Sequence, residues 1–264
     1  MAKRLRTAGI RPVDGAALIG RVLAATRGDV EKARQENAEK NERLVANGED
    51  PKAFKEALSF AIYFAKHTAS AFASALKTAF PGVRGGETPS HSARGPKRVD
   101  LNYSTPEMGL ALGMSFKSVH FGERDGGNSR FVHNMKRNDE ELRVEATSHH
   151  LRQPYAVLIA VLFLPFESCS DGATSSFAKW VEYLWPLKGR VEPDDPPDRF
   201  ELVFVGLYDR QGSEIGFYEV GGTVKCPRTG RPNTLLDVTT FLVRVKGVYD
   251  RRNSEDFYFE GEES

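Results

Sequence analysis

An aspartate and a lysine in two neighbouring segments of alternating apolar pattern have residue types and spacing suited to chemistry. Asp100 closes Pro96-Lys-Arg-Val-Asp100, and Lys117 lies in Leu112-Gly-Met-Ser-Phe-Lys-Ser118. Side chains alternate along an extended strand, so Ser115 and Lys117 project from one face and Phe116 from the other. An aspartate from one strand and a lysine from the next can then meet at a shared sheet edge. Hydrolysis of a phosphodiester needs hard oxygen ligands to hold Mg²⁺ against the phosphate. It also needs a nearby base or cation to prepare the attacking water. Asp100 and Lys117 suit these two roles.

The elements that must position them follow from periodicity. Val99, Leu101 and Tyr103 alternate with Asp100 and Asn102, and the stretch from Leu110 to Phe121 is rich in apolar residues. The two segments predict adjacent strands joined by a turn at Ser104-Thr-Pro-Glu107. Upstream, helical spacing runs from Gly15 to Asn47 and again from Pro51 to Phe80, where Pro81-Gly82 supplies a stop. Residues 83–95, rich in Gly, Pro, Ser and Thr, read as a loop. Downstream, Asn138 and Glu141 have the spacing of a capping box, predicting a helix to about Arg152. Tyr155 to Leu164 is a short, Pro-bounded apolar run, the pattern of a buried central strand. An amphipathic helix follows at Ser175 to Leu184, then a Pro- and Asp-rich loop from Arg190 to Arg199. A hairpin is expected over Phe200 to Val220, turning at Asp209-Arg-Gln-Gly212, with a last strand at Thr239 to Tyr249. The expected fold class is α/β, a mixed central sheet flanked by helices. Residues 1–82 form an N-terminal helical segment whose second helix packs on the core, 83–254 the core, and 255–264 an acidic tail that frays.

The order strand with Asp, strand with Ser-x-Lys, helix and apolar strand, over residues 96–165, resembles the PD-(D/E)XK, or restriction-endonuclease-like, nucleases. Ser104-Thr-Pro-Glu-Met-Gly-Leu110, Asn138-Asp-Glu-Glu-Leu-Arg-Val-Glu-Ala146 and Arg152-Gln-Pro-Tyr-Ala-Val157 are similar to bacterial restriction or defence endonucleases. The usual pattern has Asp or Glu two residues before the lysine, where this chain has Ser115. The resemblance implies that the missing carboxylate comes from the following helix, with Glu145 the first candidate and Glu141 the second. Glu107, in the turn between the strands, is a third possible metal ligand. Glu56, near the start of the second helix, is a fourth, because such nucleases sometimes take an acid from the first core helix. The implied activity is Mg²⁺-dependent cleavage of DNA, expected to be double-stranded, with Mn²⁺ able to substitute. Cutting both strands usually takes two sites related by a twofold axis, which implies a homodimer or larger assembly.

Local basic residues are the expected DNA contacts: Arg94, Lys97, Arg98, Lys136, Arg137 and Arg143 for phosphates, and Arg124, Arg130, His133 and Asn134 within reach of base edges. The overall balance, 37 Lys plus Arg against 36 Asp plus Glu, is neutral and argues neither for nor against a polyanionic partner. Cys169 and Cys226 lack disulfide-framework or zinc-site spacing, which fits a reducing cytoplasm. No signal peptide is read at the N-terminus, and no apolar run reaches the length of a membrane span. Two other readings remain. Glu141, Glu145 and His149 share a helix face and would suit a transition-metal hydrolase. Alternatively, Ser115 records a lost acid in a non-catalytic DNA-binding or assembly subunit.

Overall fold

The computed structural model describes residues 9–90, 97–105, 109–125 and 128–253, with the side chains of 87–90, 97–98 and 123–129 left out. The expected tail at 255–264 lies outside the described residues. The elements are α1 (Gly15–Ala46), α2 (Glu56–Leu76), β1 (Arg84–Ser90), β2 (Lys97–Thr105), β3 (Gly109–Ser118), β4 (Glu123–Asp125), β5 (Asn128–Arg130), α3 (Met135–His150), β6 (Val157–Pro165), α4 (Ser176–Leu184), β7 (Leu202–Tyr208), β8 (Ile215–Glu219) and α5 (Val238–Arg252). Six strands form a mixed sheet in the order β1-β2-β3-β6-β7-β8, and β4-β5 is a separate two-stranded ribbon. β3, β6 and β7 run parallel, with antiparallel pairs on either side. This is the α/β architecture with N-terminal helices that the sequence pattern implies.

β6 shows why the sheet has two covered faces. Val157, Ile159, Val161 and Phe163 join one apolar cluster, while Leu158, Ala160, Leu162 and Leu164 join the other. A strand buried on both sides carries apolar residues at every position, which is why its sequence reads as an unbroken run. One face is covered by α1, α2 and α5, through residues such as Ile19, Phe64, Phe72 and Phe241. The other is covered by α3 and α4, through Leu142, Ala146, Phe177 and Trp180. Both N-terminal helices therefore share a core with the sheet, not the second alone. Among the described residues, no helix is long and apolar enough to cross a membrane.

Several sequence expectations are corrected. The segment 83–95, read as a loop, contains β1, which pairs with β2 through an irregularity between Gly85 and Thr88. Gly85 is required by close approach: a Cβ there would lie 2.3 Å from the carbonyl oxygen of Ala69 on α2. Glycines that look like a hinge thus let a helix rest on a strand. The segment Thr239–Tyr249, read as a strand, lies within α5. Val238, Phe241, Leu242 and Val245 are buried at helical spacing, and Asp237 caps the first turn by accepting from Thr240 N. α2 begins at Glu56, so Pro51 precedes the helix instead of opening it. α3 begins one turn before the expected capping box, with Asn134 in the left-handed region at φ 58° and Asn138 inside the helix. Asparagine tolerates that conformation better than most residues, and α3 starts without a side-chain cap.

At the other end of β6 and β7, Glu201 is buried in a cluster of opposite charge. It lies 3.4 Å from Arg190 Nε, 3.3 Å from Arg252 and 3.5 Å from His150 Nε2, and it accepts from Leu158 N at 2.7 Å. Side-chain exposure is 1% for Glu201 and 1% for Arg190. Arg190 also donates to the carbonyls of Pro154, Pro193 and Asp195, and Arg252 to that of Val191. This ties the 190–199 loop and the end of α5 to the sheet. Removing one partner of a buried ion pair strands the remaining charge. Glu201→Ala is therefore expected to cost about 3–5 kcal/mol, read as a lower urea midpoint at neutral pH.

Candidate functional site

The sheet forks where β2 leaves β3. Pairing between them ends at Leu101 opposite Met114, whereas β3 continues to Ser118 paired with β6 alone. Beyond the fork, Asp100 Oδ2 accepts from the backbone N–H of Phe116 at 2.6 Å. A carboxylate thus takes a strand donor and anchors Asp100 beside the diverging end of β3. Phe116 points into the α1/α2 side of the core, leaving Ser115 and Lys117 toward α3.

α3 supplies the acids. Leu142, Ala146 and His149 are buried along one side of the helix, and Glu145 falls on the same stripe, so a carboxylate occupies a core-facing position. Burial pushes the Glu145 carboxyl above its ordinary range, and Asp100 and Glu141 push the same way. Lys117 and a hydrogen bond from Ser115 act in the opposite direction without cancelling the shift. Lys117 Nζ lies 3.3 Å from Glu141 Oε2 and 3.8 Å from Glu145 Oε2. Burial of Glu141 opposes its ionisation, but hydrogen bonds and charge from Arg137 and Lys117 prevail and hold it below the usual carboxylate range. Asp100, Ser115, Lys117, Glu141 and Glu145 thus share one electrostatic site.

The set opens into a cleft of about 1310 Å³ between α2, the end of β3 and the start of α3. Lys55, Glu56, Leu58, Ile62 and Lys66 form its α2 wall, while His133, Asn134, Arg137 and Asn138 line the α3 side. Glu56 lines the cleft but pairs with Arg34 at 3.0 Å. Among the described residues, four of the expected DNA contacts are otherwise engaged. Arg137 pairs with Glu141 at 2.7 Å, Lys136 with Glu140 at 3.7 Å, and Arg143 with Asp139 at 3.0 Å and Asp198 at 2.6 Å. Arg130 donates to the carbonyl of Thr174, which fastens the β5 end to the loop before α4. Arg94 and Glu107 lie outside the described residues, as do the side chains of Lys97, Arg98 and Arg124.

Among the described residues, no group of three or more His, Cys, Asp or Glu side chains is placed to hold a metal ion. His149 is buried at 3% exposure near the end of α3. For a hard cation the donor chemistry still fits. Mg²⁺ is commonly held by one or two carboxylates together with substrate phosphate, and Asp100 and Glu145 are two carboxylates close enough to influence each other. The raised Glu145 carboxyl marks a place where buried negative charge lacks full compensation.

Sequence reasoning missed His120, Phe121, Leu58 and Ile62 as cleft residues. His120 stacks on Phe60 with centroids 3.8 Å apart, and its Nδ1 is 2.6 Å from Tyr208 Oη. Burial, then the charges of Arg210 and Arg27, hold its pKa down to about 3 from 6.5. A depressed histidine contributes stability above pH 6.5 that is lost as pH falls through that value toward 3. His120→Gln, which gains no proton in this range, is expected to show a shallower loss of melting temperature between pH 7 and 4 than the parent protein, measured by thermal denaturation at several pH values.

No protein-family model matches the chain, and no curated protein matches it. Among solved structures, it is similar to Pyrococcus furiosus SfsA in complex with Ca²⁺ at 12% identity, covering 57% of this chain and 61% of that chain, with a TM-score of 0.25. The chain thus spans under two thirds of that protein's length, and the likeness is too slight to assign a fold or a function.

Proposed function

We propose that the chain is a Mg²⁺-dependent endodeoxyribonuclease of the PD-(D/E)XK type, with a Ser-x-Lys signature, serving restriction or anti-phage defence. The observation that carries this reading is the meeting of Lys117 with Glu141 and Glu145 at the fork anchored by Asp100. Asp100 and Glu145 would hold the cation, which when bound supplies charge neutralisation at the phosphate and a more acidic water. Lys117 brings a positive charge to the oxygen that gains negative charge as the phosphodiester is attacked. Ser115 orients Glu145 by its hydrogen bond, compensating in part for the acid that the usual pattern would place at 115. Glu141 holds the ammonium toward α3, and its own charge is shared with Arg137.

A second reading, a non-catalytic DNA-binding subunit, is favoured by Ser115 standing where the usual pattern has an acid. The same experiment separates the two. Purified protein incubated with Mg²⁺ and either plasmid duplex or single-stranded circular DNA is expected to nick or cut at least one of them, and Lys117→Ala to lower the rate by about 100-fold or more. DNA binding without cleavage under Mg²⁺ or Mn²⁺ would overturn the enzyme and leave the binding subunit.

A further inference from the structure

We propose that the cleft accepts a single strand of DNA, with unstacked bases against its α2 wall, in place of an intact duplex. The inference rests on the nuclease reading and specifies its substrate. Leu58 and Ile62 are 51% and 54% exposed, one helical turn apart on α2, and Phe121 is 37% exposed. All three line the cleft that contains Asp100, Lys117 and Glu145. A duplex offers a protein its phosphates and groove edges, because the faces of its bases are buried in the stack. A single strand exposes those faces, which take up apolar and aromatic side chains regardless of sequence.

Charge points the same way. A face that docks on duplex DNA needs a row of available cations, and among the described residues Arg137, Lys136 and Arg143 on α3 are each paired with acids of this chain. On the apolar wall the cleft carries Lys55 and Lys66, the latter paired with Asp29 at 3.3 Å, and at the fork Lys117, which faces Glu141 and Glu145. That distribution suits one phosphate backbone threading beside an apolar strip. Phe121 is held edge-on by Phe60 and His120, with centroids 5.6 and 4.8 Å away, so its ring stands as a prepared surface. A single-strand substrate also removes the need for the paired sites that duplex cleavage implies.

Binding of a fluorescent oligodeoxynucleotide, single-stranded or annealed to its complement, is measured by anisotropy with Ca²⁺ replacing Mg²⁺. Cleavage of both is followed separately with Mg²⁺. Single-stranded DNA is expected to bind about tenfold tighter or more, and Phe121→Ala or Ile62→Ser to remove about tenfold of that preference. Ile62 is exposed, so its serine variant tests the wall without opening the core. Equal or tighter duplex binding, with cleavage that depends on Lys117, would leave the nuclease intact and overturn the single-strand inference. Failure of both DNAs to bind or be cut would overturn the nuclease reading and this inference with it. Conversion of a dimer to a monomer by Ile62→Ser, with DNA preference unchanged, would make the strip a subunit interface and overturn the inference alone.

Discussion

Around the fork, one ammonium faces more negative charge than it can neutralise. Lys117 lies between Glu141 and Glu145, with Asp100 acting on Glu145 from the neighbouring strand. Carboxylates brought together away from water repel one another and lose hydration, and each effect favours the neutral acid. The chain relieves this unevenly. Glu141, nearer to solvent and shared with Arg137, stays ionised readily, whereas Glu145 retains a deficit. The local structure therefore carries a standing attraction for positive charge.

That electrostatic arrangement depends on backbone geometry. Were β2 and β3 paired to their ends, the Phe116 N–H would meet a strand carbonyl and Asp100 would have no reason to turn toward it. The fork is possible because β3 has a second neighbour: β6 supports it along Leu112 to Ser118 while β2 departs. The fully buried β6 in turn fixes α3 on one face and α2 on the other through its alternating side chains. Acids from a helix and an aspartate from an outer strand can meet there because the central strand holds both layers in place.

The sequence announced those parts that one periodicity describes. β6 was legible because burial on both faces leaves only apolar residues, and α4 because Phe177, Trp180, Val181 and Leu184 repeat at helical spacing. Strand alternation placed Ser115 and Lys117 on one face with Asp100 on the neighbouring strand, whereas Glu141 and Glu145 entered only through the resemblance to a nuclease pattern. Where two signals compete, reading failed. In α5, the segment Thr239–Tyr249 holds β-branched residues that suit a strand, but the burial spacing of Phe241, Leu242 and Val245 is that of a helix. At β1, Gly85 and Gly86 argued for a loop, although the missing side chain at 85 serves packing against α2. The pairing of Arg137 and Arg143 and the α2 wall of the cleft depend on three-dimensional neighbours, so the pattern along the chain does not contain them. The burial of Arg190 within a polar loop belongs to the same class.

The bond from Phe116 N to Asp100 has a further consequence. The side chain that would touch a reacting centre is also a component of the sheet's own wiring, standing in for a missing rung between β2 and β3. Chemistry and architecture are thus not separable at position 100. A neutral amide there would present either an oxygen or a nitrogen to the same N–H, and the nitrogen orientation would set donor against donor. Drift at this position is constrained by the sheet itself, so the fork has reason to keep its aspartate whether or not the proposed hydrolysis takes place there.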